Sequence, residues 1–292
     1  MATSDNTKAA YNNGYDLFCK FRSEFHPRNS WPPSLEELTN FVAFLSVKGY
    51  AVSTVKTYLA AISHKIKIST SELPDYTSHF IIRKMLEGMK RERHSKDTRL
   101  PITIQLLYKL INTLPIVCTS SYEASLFSAA FSLAFFGFLR VGEFTVGPRN
   151  SNTALLKNDL IIHESSSYLE VNLRRSKTDQ YGKGTQLIIP AIGGPYCPLL
   201  LMQHYLQQRP NISGQLFCHF GGKPLTRYQF NSILTKCLSR LSISGCNYKS
   251  HSFRIGAATY FHSQGVDDEI IRLLGRWKSD CYRLYIRIPA VK

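Results

Sequence analysis

The sequence predicts a mainly α fold with a small β-sheet or hairpin, in which a helical N-terminal domain precedes a mixed α+β C-terminal domain. Three observations lead there. Apolar residues recur at helical spacing through most of the chain. The stretch around residue 170 switches to strict alternation. A polar, basic segment near residue 95 parts the two halves. The predicted boundaries are 1–98, with the basic segment at its end, and 99–292.

In WPPSLEELTNFVAFL, Ser34 precedes Glu37 by three residues, the pattern of a capping box after Pro32 and Pro33. Leu38, Phe41, Val42 and Leu45 follow at helical spacing. Ser53 is placed to cap STVKTYLAAISHKI, and HFIIRKMLEGMKRE reads as a further helix with a basic end. The first domain thus reads as a bundle of about four helices. KRERHSKDTRLPIT follows, poor in apolar residues. Seven Lys/Arg fall between Arg83 and Arg99, among them Arg91, Arg93 and Lys96. Such a segment can lie along phosphates, and it can equally be a solvated linker.

TIQLLYKLINTL opens the second half as a helix, and residues 121–139 read as a helix buried on most sides, with Arg140 at its end. Its apolar run, 124–139, is 16 residues, short of the roughly 20 that a membrane span needs. Leu169, Val171 and Leu173 alternate with Glu170, Asn172 and Arg174, which is a strand. TQLIIPAI is its partner, across a turn holding Lys177, Asp179 and Gly182. PYCPLLLMQHYLQQRP, RYQFNSILTKCLSRL and the segment after His251 return to helix.

Composition narrows the function. Lys and Arg number 36 against 20 Asp and Glu, a formal net charge of +16, which points to a polyanion such as DNA or RNA as partner. A hydrophobic share of 43% supports a full core and excludes a disordered chain. Seven cysteines, an odd number with no CxxC pair, argue against a disulfide framework or a zinc site and for a reducing, intracellular setting. The first residues lack the basic and apolar regions of a secretory leader.

Arg140 in FLRVGEF stands three residues before Glu143, so it either pairs with that carboxylate or faces an anion. His251 and Arg254 share one helix face and can clamp a phosphate, since both donate hydrogen bonds. Tyr282 and Tyr285 are three apart, and each alone is an ordinary core or surface aromatic. Taken in order, Arg140, Lys177, His251, Arg254, Trp277 and Tyr285 are a set of donors plus one nucleophile. That set suits metal-free attack on a phosphodiester: donors neutralise charge on the nonbridging oxygens, a cation protonates the leaving oxygen, and tyrosine takes the phosphate as an ester.

At these residues the chain resembles the tyrosine recombinase (phage integrase) family, over nearly its whole length. FLRVGEF resembles the first-arginine box, which implies Arg140 as catalytic and Glu143 as its support. RRSKTDQ resembles the hairpin with the catalytic lysine, Lys177, and HSFRIGAAT the His-x-x-Arg box, His251 and Arg254. LLGRWKSDCYRLYIR resembles the box with the His/Trp position and the nucleophile, and its YIR ending implies Tyr285 over Tyr282. The His/Trp position falls on Trp277 counting forward from His251 and on Arg276 counting back from Tyr285. Trp277 is favoured because an indole can both donate and pack.

The resemblance implies a helical core-binding domain and a catalytic domain clamping double-stranded DNA. It also implies a homotetramer on two duplexes, a 3′-phosphotyrosine intermediate, and no metal or other cofactor. No P-loop or carboxylate cluster suggests one. Two other functions compete: a type IB topoisomerase-like enzyme, and a domesticated DNA-binding protein of the same fold that no longer cleaves. The full set of expected side chains argues against the second. The closing motif also resembles the recombinases of eukaryotic mobile elements, cryptons and tyrosine-recombinase retrotransposons, which would imply action in the nucleus.

Overall fold

The computed structural model describes residues 5–27, 30–69, 74–92, 97–147, 154–165, 167–175 and 182–287. The chain forms two compact units, 1–97 and 98–292.

The first unit is a bundle of α1 (Asp5–Phe25), α2 (Leu35–Val47), α3 (Val52–Ser69) and α4 (Phe80–Glu92). The capping box at α2 is present on both sides. The Ser34 hydroxyl accepts from the Glu37 amide at 3.2 Å, and the Ser34 amide donates to the Glu37 carboxylate at 2.8 Å. Two backbone donors that a helix start leaves orphaned are thereby satisfied. Ser53, in contrast, is not a cap. The helix begins one residue earlier, and the Ala51 carbonyl accepts from Thr54 and Val55. Phe18, Phe41, Val42, Leu45, Val55 and Ile62 fill the core of this unit. Each large side chain so buried contributes about 1.5–3 kcal/mol. Glu37 is also buried, and Arg22 Nε donates to it at 2.8 Å.

The second unit is built around α6 (Ser121–Phe136), whose residues are buried on nearly every side. It packs against α5 (Ile104–Val117), α8 (Pro198–Gln208) and α10 (His251–Ser263). Phe131, Phe144, Phe230 and Phe253 meet edge-on or tilted in the middle of this core. The predicted helix over 121–139 stops at Phe136. Gly137 ends it, and Phe138 takes a left-handed φ of 48°. Arg140 therefore stands beyond a turn, at the start of the short α7 (Val141–Phe144), rather than at the end of a helix.

The β element is a three-stranded antiparallel sheet, one strand more than a hairpin. β1 (Leu160–His163), β2 (Tyr168–Leu173) and β3 (Thr185–Pro190) lie in that order. Leu169, Val171 and Leu173 point to the core as their alternation requires. The remaining helices are α9 (Arg227–Arg240) and α11 (Asp268–Leu274), and a 3-10 turn spans Asp280–Tyr285. Among the described residues, no helix is long and apolar enough to cross a membrane.

The N-terminal end of α10 is stitched to the start of this unit. The Ile102 amide donates to Ser252 O at 3.0 Å, and Leu100 donates to Asn247 O at 2.9 Å. Gly256 makes this approach possible. A Cβ there would lie 1.8 Å from the Ile102 carbonyl oxygen, so no other residue fits without moving backbone.

Candidate active site

Three regions distant in sequence meet in the second unit: the turn 137–140 with α7, the helix α10, and the residues after α11 with the 3-10 turn. Three guanidinium groups, from Arg140, Arg254 and Arg276, gather around one carboxylate, Glu143. The Glu143 side chain accepts from the Arg140 backbone amide at 2.8 Å, from Arg140 Nη1 at 3.1 Å and from Arg276 Nη2 at 2.8 Å. The sequence pairing of Arg140 with Glu143 is thus present, with Arg276 added to it.

Arg254 is fully buried. It donates to the Phe138 carbonyl at 2.5 Å and to the Gly275 carbonyl. Its Nε has no hydrogen-bond partner among the described residues, and neither has Arg276 Nε. Burial, then the charges of Arg140 and Arg276, push the Arg254 guanidinium down to about 9. Arg276 is shifted in the same direction, with burial as the main cause. Positive charge is concentrated here well beyond what Glu143 offsets. A buried cation cluster of this kind favours an anion placed against it.

Two aromatic rings cover the cluster. The Trp277 ring lies 4.2 Å from the Arg254 guanidinium, a cation–π contact. Tyr285 lies against the indole with ring centroids 4.9 Å apart, and its ring centre is 5.8 Å from the same guanidinium. Its hydroxyl is 2.9 Å from His251 Nε2. The phenol is thus next to an imidazole and beside a buried guanidinium, and it is only half-buried. Thr259 Oγ1 fixes the backbone there: it donates to Tyr285 O at 3.2 Å and accepts from the Arg287 amide at 3.0 Å.

Gly275 and Arg276 set the geometry of the last box. Arg276 takes a left-handed φ of 54°, which separates two neighbouring side chains. The Arg276 guanidinium turns towards Glu143 and the carbonyls of Gly137 and Phe138, whereas Trp277 lies over Arg254 and Tyr285. A Cβ on Gly275 would lie 1.6 Å from the indole ring.

The structure brings together seven of the eight residues picked out as catalytic or supporting from the motifs: Arg140, Glu143, His251, Arg254, Arg276, Trp277 and Tyr285. Lys177, Arg93 and Lys96 lie outside the described residues. Arg91 is exposed on the last turn of α4. Tyr282 faces a different environment from Tyr285: it is buried, and its hydroxyl bonds to Asp268 at 3.2 Å. Sequence reading missed Thr259 and the carbonyls of Phe138 and Gly275, because backbone acceptors and a lone threonine leave no pattern. Among the described residues, no group of His, Cys, Asp and Glu could hold a metal ion.

The chain is 26% identical to a tyrosine recombinase XerC from Herpetosiphon aurantiacus, over 97% of this chain and 85% of that protein. No protein-family model matches it. Among solved structures, it resembles the XerH site-specific recombinase in a post-cleavage complex on difH, with a TM-score of 0.66 and 14% identity, over 94% of this chain and 75% of that one. It also resembles the Tn1549 transposon integrase on circular-intermediate DNA, with a TM-score of 0.63 and 12% identity, over 99% and 91%. A lambda integrase dimer on a core site gives a TM-score of 0.64 and 15% identity, over 100% and 74%. The likeness to the solved structures is one of fold. The chain is thus similar in sequence to a tyrosine recombinase and in fold to recombinases and integrases of that kind.

Proposed function

We propose that this chain is a site-specific DNA recombinase or integrase that cuts and rejoins strands through a 3′-phosphotyrosine on Tyr285. The observation that carries the reading is the Tyr285 hydroxyl at 2.9 Å from His251, beside a guanidinium cluster with excess positive charge. Arg140 and Arg254 bind the scissile phosphate through its nonbridging oxygens. Tyr285 Oη attacks phosphorus, its proton passing to His251, and the bond to the 5′ oxygen breaks. Lys177 protonates that leaving oxygen. One P–O bond is exchanged for another, so the strand can be resealed by the reverse step with no other energy source. Guanidiniums supply the charge that a metal ion would supply elsewhere.

Residues 1–98 act as the DNA-clamping core-binding domain and 99–292 as the catalytic domain, with Arg91, Arg93 and Lys96 along the backbone phosphates. The net charge of +16 supports double-stranded DNA as partner. The XerH, Tn1549 and lambda proteins are seen on DNA, which supports the same reading here. Recombination between two duplexes implies four protomers, each cutting one strand.

The test is covalent trapping in EDTA. The protein is mixed with a pool of nicked random-sequence duplexes, denatured in SDS, and scored for protein-linked DNA. Wild type and Tyr282→Phe are expected to give an adduct and Tyr285→Phe none. An adduct that survives in Tyr285→Phe rules out this nucleophile. Salt-sensitive DNA binding without any adduct, on a recovered target site, would favour a silent DNA-binding protein of the same fold.

A further inference from the structure

Tyr282 is a buried phenol that the proposed chemistry does not use. Its ring packs against Trp277, with centroids 6.4 Å apart, and Arg283 lies over its other side at 5.9 Å. Its hydroxyl donates to Asp268 Oδ2 at 3.2 Å and accepts from Arg283 Nε at 3.3 Å. The other oxygen of Asp268 is 3.2 Å from His262 Nδ1, at the end of α10. Asp268 is the first residue of α11, so its carboxylate is also favoured by the helix start. The same helix holds the Trp277 backbone, since Arg272 donates to Trp277 O at 3.1 Å while pairing with Glu269.

These contacts have one geometric result. The 3-10 turn Asp280–Tyr285 is too short to hold its own conformation. It is tied to the body of the unit at two places: at Tyr282, through Asp268 and His262, and at Thr259, which bonds on either side of Ile286. Tyr285 follows the first tie by three residues and takes part in the second through its own carbonyl.

We propose that Tyr282 is a positioning residue: the Tyr282–Asp268–His262 chain anchors the turn and thereby sets how much of the time the Tyr285 hydroxyl stands beside His251. Both tyrosines of the motif then have a function, one as anchor and one as reacting group. The second role rests on the reading given under Proposed function; the first does not. Removing the Tyr282 hydroxyl takes away one hydrogen bond to a carboxylate and leaves the ring in place against Trp277. The ratio of docked to undocked turn is expected to fall roughly two- to tenfold.

Hydrogen–deuterium exchange on the full chain without DNA tests the anchor directly. In Tyr282→Phe and in Asp268→Asn, amides of residues 280–287 are expected to exchange faster than in wild type, with α5 and α6 unchanged as a check on folding. Unchanged exchange over 280–287 in both variants would overturn the proposal. A trapping assay then separates the two readings. Adduct formation in Tyr282→Phe is expected to slow by up to about tenfold, with DNA affinity unchanged, a split that a general loss of structure would not give. Complete loss of the adduct in Tyr282→Phe, with retention in Tyr285→Phe, would make Tyr282 the reacting group and overturn both readings. Faster exchange in the variants together with an adduct that survives in Tyr285→Phe would sink the nucleophile assignment and leave the anchor standing.

Discussion

Each unit of the chain buries an arginine against a glutamate, and the two arrangements differ in how fully they are satisfied. In the N-terminal unit Arg22 donates to Glu37 at 2.8 Å and to the Ser30 carbonyl at 2.7 Å, while the other Glu37 oxygen closes the α2 capping box. One cation meets one anion. In the C-terminal unit Glu143 faces Arg140 and Arg276 directly, Arg254 adds a third positive charge, and two Nε donors have no partner among the described residues. The first is an internal cross-brace, complete in itself. The second holds more positive charge than its one carboxylate offsets, as expected of a site that favours an anion.

That contrast can be broken by experiment, most sharply at Arg254. Arg254→Ala is expected to lower the rate of adduct formation by about 10²–10³ or more, measured in single-turnover trapping. Arg22→Ala should reduce thermal stability without changing the rate of the folded fraction. Equal effects on rate would erase the distinction.

The two glutamates give the next test. Glu143→Gln and Glu37→Gln should each cost about 1–3 kcal/mol of stability, because a buried guanidinium loses its charged partner. Inorganic phosphate is expected to raise the Tm of Glu143→Gln by more than it raises that of wild type or Glu37→Gln. An equal rise in all three would show that the C-terminal cluster does not attract anions.

Gly275→Ala places a methyl group inside the Trp277 ring and should destabilise by about 1–3 kcal/mol, with a shift in tryptophan fluorescence as the indole moves off Arg254. Nothing in the N-terminal unit should respond.

The smallest effect is one of pH. The folded value of Arg254, about 9, lies well below the ordinary arginine range. Between the two, the unfolded chain holds a proton that the folded chain has released, so this group's contribution to stability rises with pH across that window. Below about 9 the group is charged in both states, and its buried charge opposes folding throughout. A bound phosphate favours the charged form and reverses the trend. Protection by phosphate, read as a rise in Tm, should therefore shrink above about pH 9. Protection that holds constant from pH 8 to 10 would contradict the shift.

Much of this was legible in the chain. The α2 cap could be read because Ser34 and Glu37 interact locally, and β2 because its alternation is a local pattern. Arg140, His251, Arg254 and Tyr285 could be found because the chemistry that the resemblance implies calls for those side chains in that order. Other features depend on tertiary context. LIIH of β1 has no alternation and reads as any apolar run. Ser53 suits a cap, yet the chain geometry starts α3 a residue before it. The choice between Arg276 and Trp277 turns on a left-handed φ at an arginine, a conformation that sequence assigns to glycine or asparagine. The division of labour between the two tyrosines rests on Asp268 and His262, which no motif includes.

Gly256, where α10 touches the carbonyl of Ile102, has a consequence on the scale of lineages. The half-buried Tyr285 could be exchanged for phenylalanine with little harm to the fold, so under the proposed chemistry a copy released from selection for strand cutting could lose its reacting group and persist. Position 256 offers no such freedom, since every other side chain collides with main chain there. In a population of decaying descendants the glycine is expected to outlast the tyrosine. A surviving Gly256 would thus record that a copy still folds, and Tyr285 that it keeps the nucleophile of the proposed reaction.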